Sequence, residues 1–172
     1  MSGLRTGVIE KPEFMNCKIM TGRIAAIYVA VFFTSASAAG DLSRTMPDPS
    51  LSPLDVTKIV MNALQRNDES SKNRGIAITF NFASPANKTV TGPLARFVNM
   101  VNGPVYGGMI GHRGATYENI ETDGDNARID VILETAEGKL IGFRFILRRQ
   151  RDNQYDGAWM TDSVIPIEVI SS

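Results

Sequence analysis

The most interesting candidates for chemistry in this sequence are an aspartate and an arginine. Asp130 and Arg144 fall opposite each other in a predicted β-hairpin. If the pair lines a cavity, its charges can orient a bound ligand. If it lies on a solvated sheet face, it contributes a few tenths of a kcal/mol to about 1 kcal/mol of stability. We expect the solvated arrangement, and we retain Asp130 and Arg144 as candidate ligand-binding residues of a cavity.

Tyr106 and Trp159 are two further candidate ligand-binding residues. Each has a large apolar ring that carries one polar atom. Such side chains suit either the edge of a hydrophobic core or the rim of a cavity. We expect core packing for both residues, and cavity lining is the alternative.

Acid–base catalysis would require a side chain whose pKa lies near neutrality. Burial in an apolar cavity raises the pKa of a carboxyl group, and Asp130 and Asp162 are the candidates for this role. His112 is the only histidine of the sequence. We expect it in a loop, and a general acid–base role is the weaker interpretation. No pattern indicates a serine or cysteine nucleophile, so no catalytic residue is assigned.

The sequence predicts neither a metal site nor a cofactor. An ordinary zinc site takes at least three protein ligands, whereas the sequence holds one histidine and one cysteine, Cys17. Asp123 and Asp125 match the first positions of a calcium loop, but Ala127 stands at the next one, so we expect a hairpin turn. The glycine-rich segment 106–117 lacks the Gly-Lys-Ser/Thr sequence of a phosphate-binding loop, and we expect it to connect a helix to the sheet.

Residues 1–39 have the layout of a secretory signal peptide. Arg23 precedes an apolar run at 24–33, and small residues follow this run. The run has ten residues, whereas a membrane-spanning helix needs about 20. We therefore expect cleavage, no stable membrane insertion afterwards, and a periplasmic or extracellular location. The segment before the run is long for such a peptide, and a start at Met15 or Met20 would give a more usual length.

Cleavage would change the charge and the cysteine content of the chain. It would remove four basic and two acidic residues from the 18 of each and leave a net charge of about −2. A nearly neutral chain without a basic block has no electrostatic footprint for nucleic acid, so we expect no nucleic-acid partner. Cys17 would also leave, so the remaining chain would have no disulfide. We expect a flexible segment at 40–51 and one α+β domain at 52–172.

Capping residues and apolar spacing predict the first helix. Ser52 can cap a helix that starts at Pro53, and an apolar stripe with helical spacing follows. The next run, 75–82, is ambiguous, because its apolar residues alternate as in a strand but also share a helical face. Its composition favours the strand.

The segment 82–97 is expected to be only a joint between two elements. Ser84–Pro85 stops the preceding element, since a residue before proline avoids the helical conformation. Gly92–Pro93 supplies the cap and the first-turn proline of a third helix. This helix should end with a left-handed cap at Asn102 or Gly103.

From Ala115 onwards the apolar residues have a period of two, which predicts antiparallel strands with turns at Asp123–Gly124 and Glu137–Gly138. The second turn sets these residues opposite each other: Ile129 and Phe145, Val131 and Phe143, Leu133 and Ile141, and Asp130 and Arg144. A one-residue shift in this pairing would place apolar and polar side chains on the same face of the sheet. A last strand contains Pro166, which suits an edge. The predicted fold is therefore α+β, with N-terminal helices packed on a curved antiparallel β-sheet meander.

The segments FNFASPANKTVTGPLARFVNMV and GAWMTDSV, with PVY between them, resemble a family of exported bacterial proteins and their relatives, the domain of unknown function 4864. The resemblance covers about Pro53 to Val164. It implies a fold like that of nuclear transport factor 2 and the cystatins, in which three helices cover a curved sheet around a conical cavity. It also implies that 75–82 is a helix. The family has no established activity, so it supplies no catalytic residue.

We therefore expect an exported domain that binds a small apolar ligand or a partner protein of the cell envelope in a cavity. The alternative is an enzyme with isomerase- or hydrolase-like acid–base chemistry in the same cavity. A homodimer formed through the open sheet face is a third possibility, and it can coexist with the binding function. A cavity of several hundred Å³ with apolar walls, one carboxylate and one tyrosine or histidine would favour the enzyme. A cavity filled by Phe and Ile side chains would exclude it.

Overall fold

The computed structural model of the protein describes residues 46–169. The predicted signal peptide and the first residues of the predicted flexible segment lie outside the described residues. Within the described part of that segment, Leu51 donates its backbone N–H to the Asp48 carbonyl at 3.1 Å and is buried in the core. The packed structure thus begins just before Ser52, where the domain was predicted to start.

Helix α1, Pro53–Gln65, begins where it was predicted to begin. The Ser52 hydroxyl accepts a hydrogen bond from the N–H of Asp55 at 3.1 Å, and the Asp55 carboxylate accepts one from the N–H of Ser52 at 3.0 Å. This reciprocal cap satisfies N–H groups that have no partner inside the helix. One face of α1 is buried in the core, through Val56, Val60, Met61, Ala63 and Leu64.

Helix α2, Arg74–Phe82, occupies the run whose alternation favoured a strand. The strand prediction was wrong, and the helix implied by the family resemblance is present. Contacts with the end of α1 explain the difference. At Gly75 a Cβ atom would lie 1.9 Å from the carbonyl oxygen of Ala63, and the Asn67 side chain accepts a hydrogen bond from the N–H of Ile76 at 3.0 Å. Neither contact can be deduced from the alternation of apolar residues within the run.

Helix α3, Pro85–Thr91, was not predicted. Ser84 caps it by accepting a hydrogen bond from the N–H of Asn87 at 3.1 Å, and Pro85 is its first residue. The same Ser-Pro arrangement starts α1. None of the α3 residues is buried, so the segment has no apolar stripe that could have revealed a helix. The expected joint between two elements therefore contains a helix of its own.

Helix α4, Leu94–Val101, ends where it was predicted to end. Asn102 has a φ angle of −72° and Gly103 also lacks a positive φ, so the predicted left-handed cap was wrong. Instead, the Asn102 side chain donates to the Val98 carbonyl at 2.9 Å, which satisfies a carbonyl at the helix end. A 3-10 turn at Gly107–Met109 leads on towards the sheet. No helix in the described part of the chain is long and apolar enough to cross a membrane.

Four antiparallel strands form one curved, open sheet in the order β1-β2-β3-β4. They are β1 Gly114–Asp123, β2 Asn126–Glu134, β3 Leu140–Arg149 and β4 Trp159–Ile167. All four predicted residue pairs between β2 and β3 are present. Gly124 and Gly138 have φ angles of 55° and 86°, in the left-handed region that glycine adopts easily in such turns. The predicted α+β class, with helices before an antiparallel meander, is confirmed.

The two faces of the sheet have different environments. The face that packs against the helices, called the helix face, carries a set of buried apolar residues from β2 and β3: Ile129, Val131, Leu133, Phe143, Phe145 and Leu147. Because successive side chains of a strand alternate, Asp130 and Arg144 lie on the opposite face. We call this opposite face the outer face.

Candidate functional site

A cleft of about 420 Å³ lies between the helices and the part of the sheet formed by β3 and β4. Small-molecule sites usually have volumes of about 300 to 1,000 Å³. Most of the wall is apolar and comes from three helices and β3, with Leu64, Val90, Phe97, Met100, Val101 and Phe145 among its residues. Val90 is 69% exposed, which places it at the mouth of the cleft. The core side chains therefore leave a space that a ligand can enter.

A bulge in β4 borders this cleft. Thr161 pairs with Leu147 and Ser163 pairs with Ile146, so Asp162 is an extra residue without an opposite partner on β3. A bulge bends its strand and changes the direction of its side chains. All four residues at 161–164 line the cleft, and β4 is the edge strand of the sheet, so its backbone edge also borders the cleft.

Helix α3 is fixed to this bulge by backbone and side-chain hydrogen bonds. The Thr161 carbonyl accepts one hydrogen bond from the Ser84 N–H at 2.9 Å and another from the Asn87 side chain at 3.1 Å. These contacts occupy part of the open edge of β4, which would otherwise offer free backbone groups to another strand. The helix that was not predicted thus forms one wall of the cleft.

Tyr106 is the predicted site residue that the structure places in the cleft. Its hydroxyl donates to the Val164 carbonyl at 3.2 Å, and its ring stacks on Phe143 with ring centroids 6.1 Å apart. The hydrogen bond holds the loop after α4 against β4, and the ring contact holds it against β3. Tyr106 therefore lines the cleft, and its hydroxyl already donates a hydrogen bond within the protein.

Asp162 is the only charged residue among the described residues that line the cleft. Its side chain is 18% exposed, and it forms an ion pair with Arg148 in which Nε and Oδ2 are 3.1 Å apart. Next to it, the Thr161 hydroxyl is buried and has no hydrogen-bond partner among the described residues. Asp162 was a predicted candidate for acid–base chemistry, and the structure places it in the β4 bulge that lines the cleft, with its carboxylate paired to Arg148.

The predicted pair of Asp130 and Arg144 is present but lies on the outer face, away from the cleft. Arg144 donates from Nε and Nη2 to the two carboxylate oxygens at 2.6 and 2.8 Å. Asn119, which lies in a bulge of β1 with a φ angle of 45°, donates to the same carboxylate at 2.9 Å. Asp130 is only 3% exposed, so the expected solvated pair was wrong in this respect.

The environment of Asp130 argues against the predicted acid–base role. The hydrogen bonds from Arg144, with a smaller contribution from Asn119, hold the pKa of the Asp130 carboxyl below its ordinary value, although burial acts in the opposite direction. A general acid at neutral pH needs a raised pKa. Asp130 and Arg144 therefore have a structural role as the cross-strand link of β2 and β3.

Trp159 belongs to the core, which was the expected position. It is buried, and the guanidinium of Arg149 lies 5.0 Å from the centroid of its ring system. This distance is typical of a cation–π contact. Trp159 lies outside the cleft wall, so of the four predicted binding residues the cleft contains Tyr106 alone.

His112 is buried in the connection between the 3-10 turn and β1. Its Nδ1 lies 2.8 Å from the Met109 carbonyl, and burial lowers the pKa of its imidazole, partly offset by this hydrogen bond. Its backbone carbonyl accepts a hydrogen bond from Gln65 at 3.0 Å. The residue lies outside the cleft wall and stabilises the loop, in agreement with the expected position.

Sequence reasoning missed the contribution of α3 and of the β4 bulge to the cleft. The Ser-Pro pair at 84–85 was a usable signal, because the same pair correctly predicted α1. The bulge leaves a weaker signal in the sequence. Thr161 and Val164 are three residues apart in β4, whereas their partners in β3, Leu147 and Phe145, are two residues apart. This irregular spacing can be interpreted only when the register is known.

The described residues contain no group of three or more His, Cys, Asp or Glu side chains that could hold a metal ion. Polar residues line the cleft both on β4, at 161–163, and on the helices, at Thr79, Asn87 and Thr91, and the rest of the wall is mainly apolar. The arrangement suits an organic molecule with a small polar group.

Comparisons with known proteins identify a family. A search of curated proteins and a search of solved structures each found no match. The likeness to nuclear transport factor 2 therefore stays a prediction. A family model described as "Domain of unknown function (DUF4864)" matches residues 54–170, which include every helix and strand of the structure except the first residue of α1. The chain belongs to this family of domains of unknown function, DUF4864.

Proposed function

We propose that this protein binds a small, mainly apolar molecule in the cleft between α3, α4 and β4. The observation that carries the proposal is an unfilled cleft of about 420 Å³ with mainly apolar walls and a few polar residues among them. Such a combination is usual for small-molecule sites. A partner protein would require a larger surface, of about 800 Å² on each side, so the concave shape favours the small molecule.

The walls of the cleft are held in place by contacts that do not involve a ligand. The Ser84 N–H and the Asn87 side chain tie α3 to β4, and Tyr106 ties the opposite side to β4. A site that is already formed loses little conformational entropy on binding. The proposal therefore includes binding without a large rearrangement.

The proposed place of binding is the periplasm or the outside of the cell. The support is the order of charged, apolar and small residues in 1–39. The test is the mass of the protein recovered from the producing cells. Export predicts that the signal peptide is missing, and recovery of the complete chain in the cytoplasm would contradict it.

Titration with the neutral fluorescent probe N-phenyl-1-naphthylamine tests binding directly. We expect increased fluorescence on addition of the purified protein, because the probe leaves water for an apolar site. The matched pair of variants is Ala86→Trp and Thr89→Trp. Both residues are exposed on α3, but only Ala86 lines the cleft.

Ala86→Trp should fill part of the cleft and weaken probe binding about tenfold or more, whereas Thr89→Trp should leave it unchanged. Circular dichroism and urea unfolding would check that both variants fold. Equal probe binding by the two variants, or none by the natural protein, would contradict the proposed site.

A second candidate function is acid–base catalysis in the same cleft. The favouring observation is that one carboxylate, Asp162, and one tyrosine, Tyr106, both line it. Both groups also have structural contacts, since Asp162 is paired with Arg148 and the Tyr106 hydroxyl donates to Val164. These contacts make binding the better supported of the two functions.

Catalysis can be tested on molecules that co-purify with the protein. They would be extracted, incubated in deuterium oxide with the natural protein or with Asp162→Asn, and examined by mass spectrometry. Deuterium uptake or a new mass that needs Asp162 would support catalysis. An unchanged mass with a retained ligand would leave binding as the function.

A further inference from the structure

We infer that the cleft takes the alkyl chain of a single-chain amphiphile, such as a long-chain alcohol, acid or amine, and leaves the polar head group in the water at its mouth. The inference rests on the proposed function and adds the chemical class of the ligand to it. It follows from the bonding and the direction of the polar side chains on the described part of the cleft wall.

The polar side chains that the helices bring to the wall are bonded within the protein. The Thr79 hydroxyl donates to the Gly75 carbonyl at 2.9 Å. The Thr91 hydroxyl donates to the Asn87 carbonyl at 2.9 Å and is also 2.9 Å from the side-chain oxygen of Asn87. The Asn87 amide donates to the Thr161 carbonyl at 3.1 Å. A ligand would have to compete with bonds that already hold α2 and α3 in place.

The polar side chains of the β4 bulge are not directed into the open cleft. The Thr161 hydroxyl is buried out of contact with solvent, so a molecule in the open cleft does not reach it. Ser163 pairs with Ile146, a residue of the outer face, and therefore lies on that face. The carboxylate of Asp162 is paired with Arg148, which also belongs to the outer face.

The cleft wall also lacks a partner for a charged head group. The described residues that line it include no Lys, Arg or His, and its one carboxylate is the Asp162 group already paired with Arg148. The Tyr106 hydroxyl donates to the Val164 carbonyl at 3.2 Å. An anionic head group therefore meets no cationic side chain, and a cationic one meets no unpaired carboxylate.

This bonding restricts the ligand to molecules whose polar atoms are gathered at one end. A polar atom carried into the cleft would lose its hydrogen bonds to water without a replacement, which costs free energy. At the mouth, where Val90 is 69% exposed, a head group keeps its water. An alkyl chain suits the wall, because Met100 and Met109 are flexible and adapt to its shape.

Displacement of N-phenyl-1-naphthylamine by alkyl compounds tests the inference. Each methylene group that enters the cleft should improve binding about threefold to fourfold, so decanol should displace the probe at a concentration about tenfold lower than octanol does. Decylamine, decanol and decanoate share a chain and differ in their head groups, and their values should agree within about threefold. Equal values for octanol and decanol, or a tenfold preference for one head group, would overturn the inference.

A matched pair of variants on α4 tests the role of the wall. Met100→Gln nearly keeps the length of the side chain but puts an amide on the cleft wall, and it should raise the concentration of decanol required about tenfold. Asn99→Gln is the control, because Asn99 is exposed on the same helix and lies outside the wall, and it should change this concentration less than twofold.

Circular dichroism would check that both variants fold. Equal values for the two folded variants would overturn the inference. If Met100→Gln does not fold, the comparison of octanol with decanol and of the three head groups in the natural protein still decides the question.

The outcomes separate the inference from the proposed function. If the probe binds and the alkyl compounds displace it with a strong head-group preference, the cleft binds small molecules and the inference alone fails. If neither the probe nor any alkyl compound binds, the proposed function fails and the inference fails with it.

Discussion

Asp130 in β2 and Asp162 in the β4 bulge differ in the number of partners that hold their carboxylates. On the outer face, Asp130 accepts two hydrogen bonds from Arg144 and one from Asn119, and it is almost completely buried. In the β4 bulge, Asp162 forms one ion pair, with Arg148, whose side chain is 62% exposed. A buried carboxylate with several hydrogen-bond donors contributes more to stability than a carboxylate paired with one exposed arginine.

The largest difference between the two aspartates should appear in stability. Asp130→Asn replaces a charge-assisted acceptor by an amide that cannot accept both arginine donors. We expect the free energy of unfolding to fall by about 2 kcal/mol. Urea unfolding of the variant and the natural protein measures this difference. A change below about 0.5 kcal/mol would mean that the outer pair is as weak as an exposed ion pair.

Acid should remove the contribution of Asp130. Its folded-state pKa is held below the ordinary value of 3.8, mainly by the hydrogen bonds from Arg144. A carboxyl with a lowered pKa stabilises the folded state above its unfolded pKa, and this contribution is lost as the pH falls through the folded pKa. The natural protein should therefore lose stability below about pH 4 more steeply than Asp130→Asn does. Parallel curves from pH 6 to pH 2.5 would contradict the assignment.

The corresponding change at Asp162 should cost less. Asp162→Asn loses an ion pair whose arginine is mostly exposed, and we expect a decrease of at most about 1 kcal/mol. The same urea measurement, made in parallel with Asp130→Asn, provides the comparison. A larger loss at Asp162 than at Asp130 would reverse the roles assigned to the two residues.

Thr161→Val should have the smallest effect and the opposite sign. The substitution keeps the shape of the side chain and removes a buried hydroxyl that has no partner among the described residues. We expect an unchanged or slightly increased free energy of unfolding, by up to about 1 kcal/mol, in the absence of ligand. Differential scanning calorimetry would detect the change in Tm. A clear loss of stability would show that the hydroxyl already has a structural partner.

The residue pairing on the outer face could be predicted from the sequence because it depends on a local pattern of residues. Alternation along β2 and β3, with Glu137–Gly138 as the turn, leaves one register that keeps apolar residues together, and this register places Asp130 opposite Arg144. The burial of Asp130 was not predictable in this way. It depends on Asn119, which reaches the pair from a bulge in a third strand.

The cleft was less predictable because its walls come from distant segments. α2 was assigned as a strand from its alternation, since its close contact at Gly75 with α1 is tertiary. α3 has no buried residue, and its attachment to β4 joins Ser84 to Thr161, far apart in the chain. Asp162 was recognised as a carboxylate of interest, but its place in the cleft depends on the bulge.

One NMR measurement tests the central claim most directly. Backbone amide shifts of the labelled protein would be followed during titration with N-phenyl-1-naphthylamine, whose rings shift nearby nuclei. We predict the largest changes in α3 and at 161–164, with little change around Asp130 and Arg144. The largest changes on the outer face, or no saturable change in the cleft, would contradict the proposal that this cleft is the binding site.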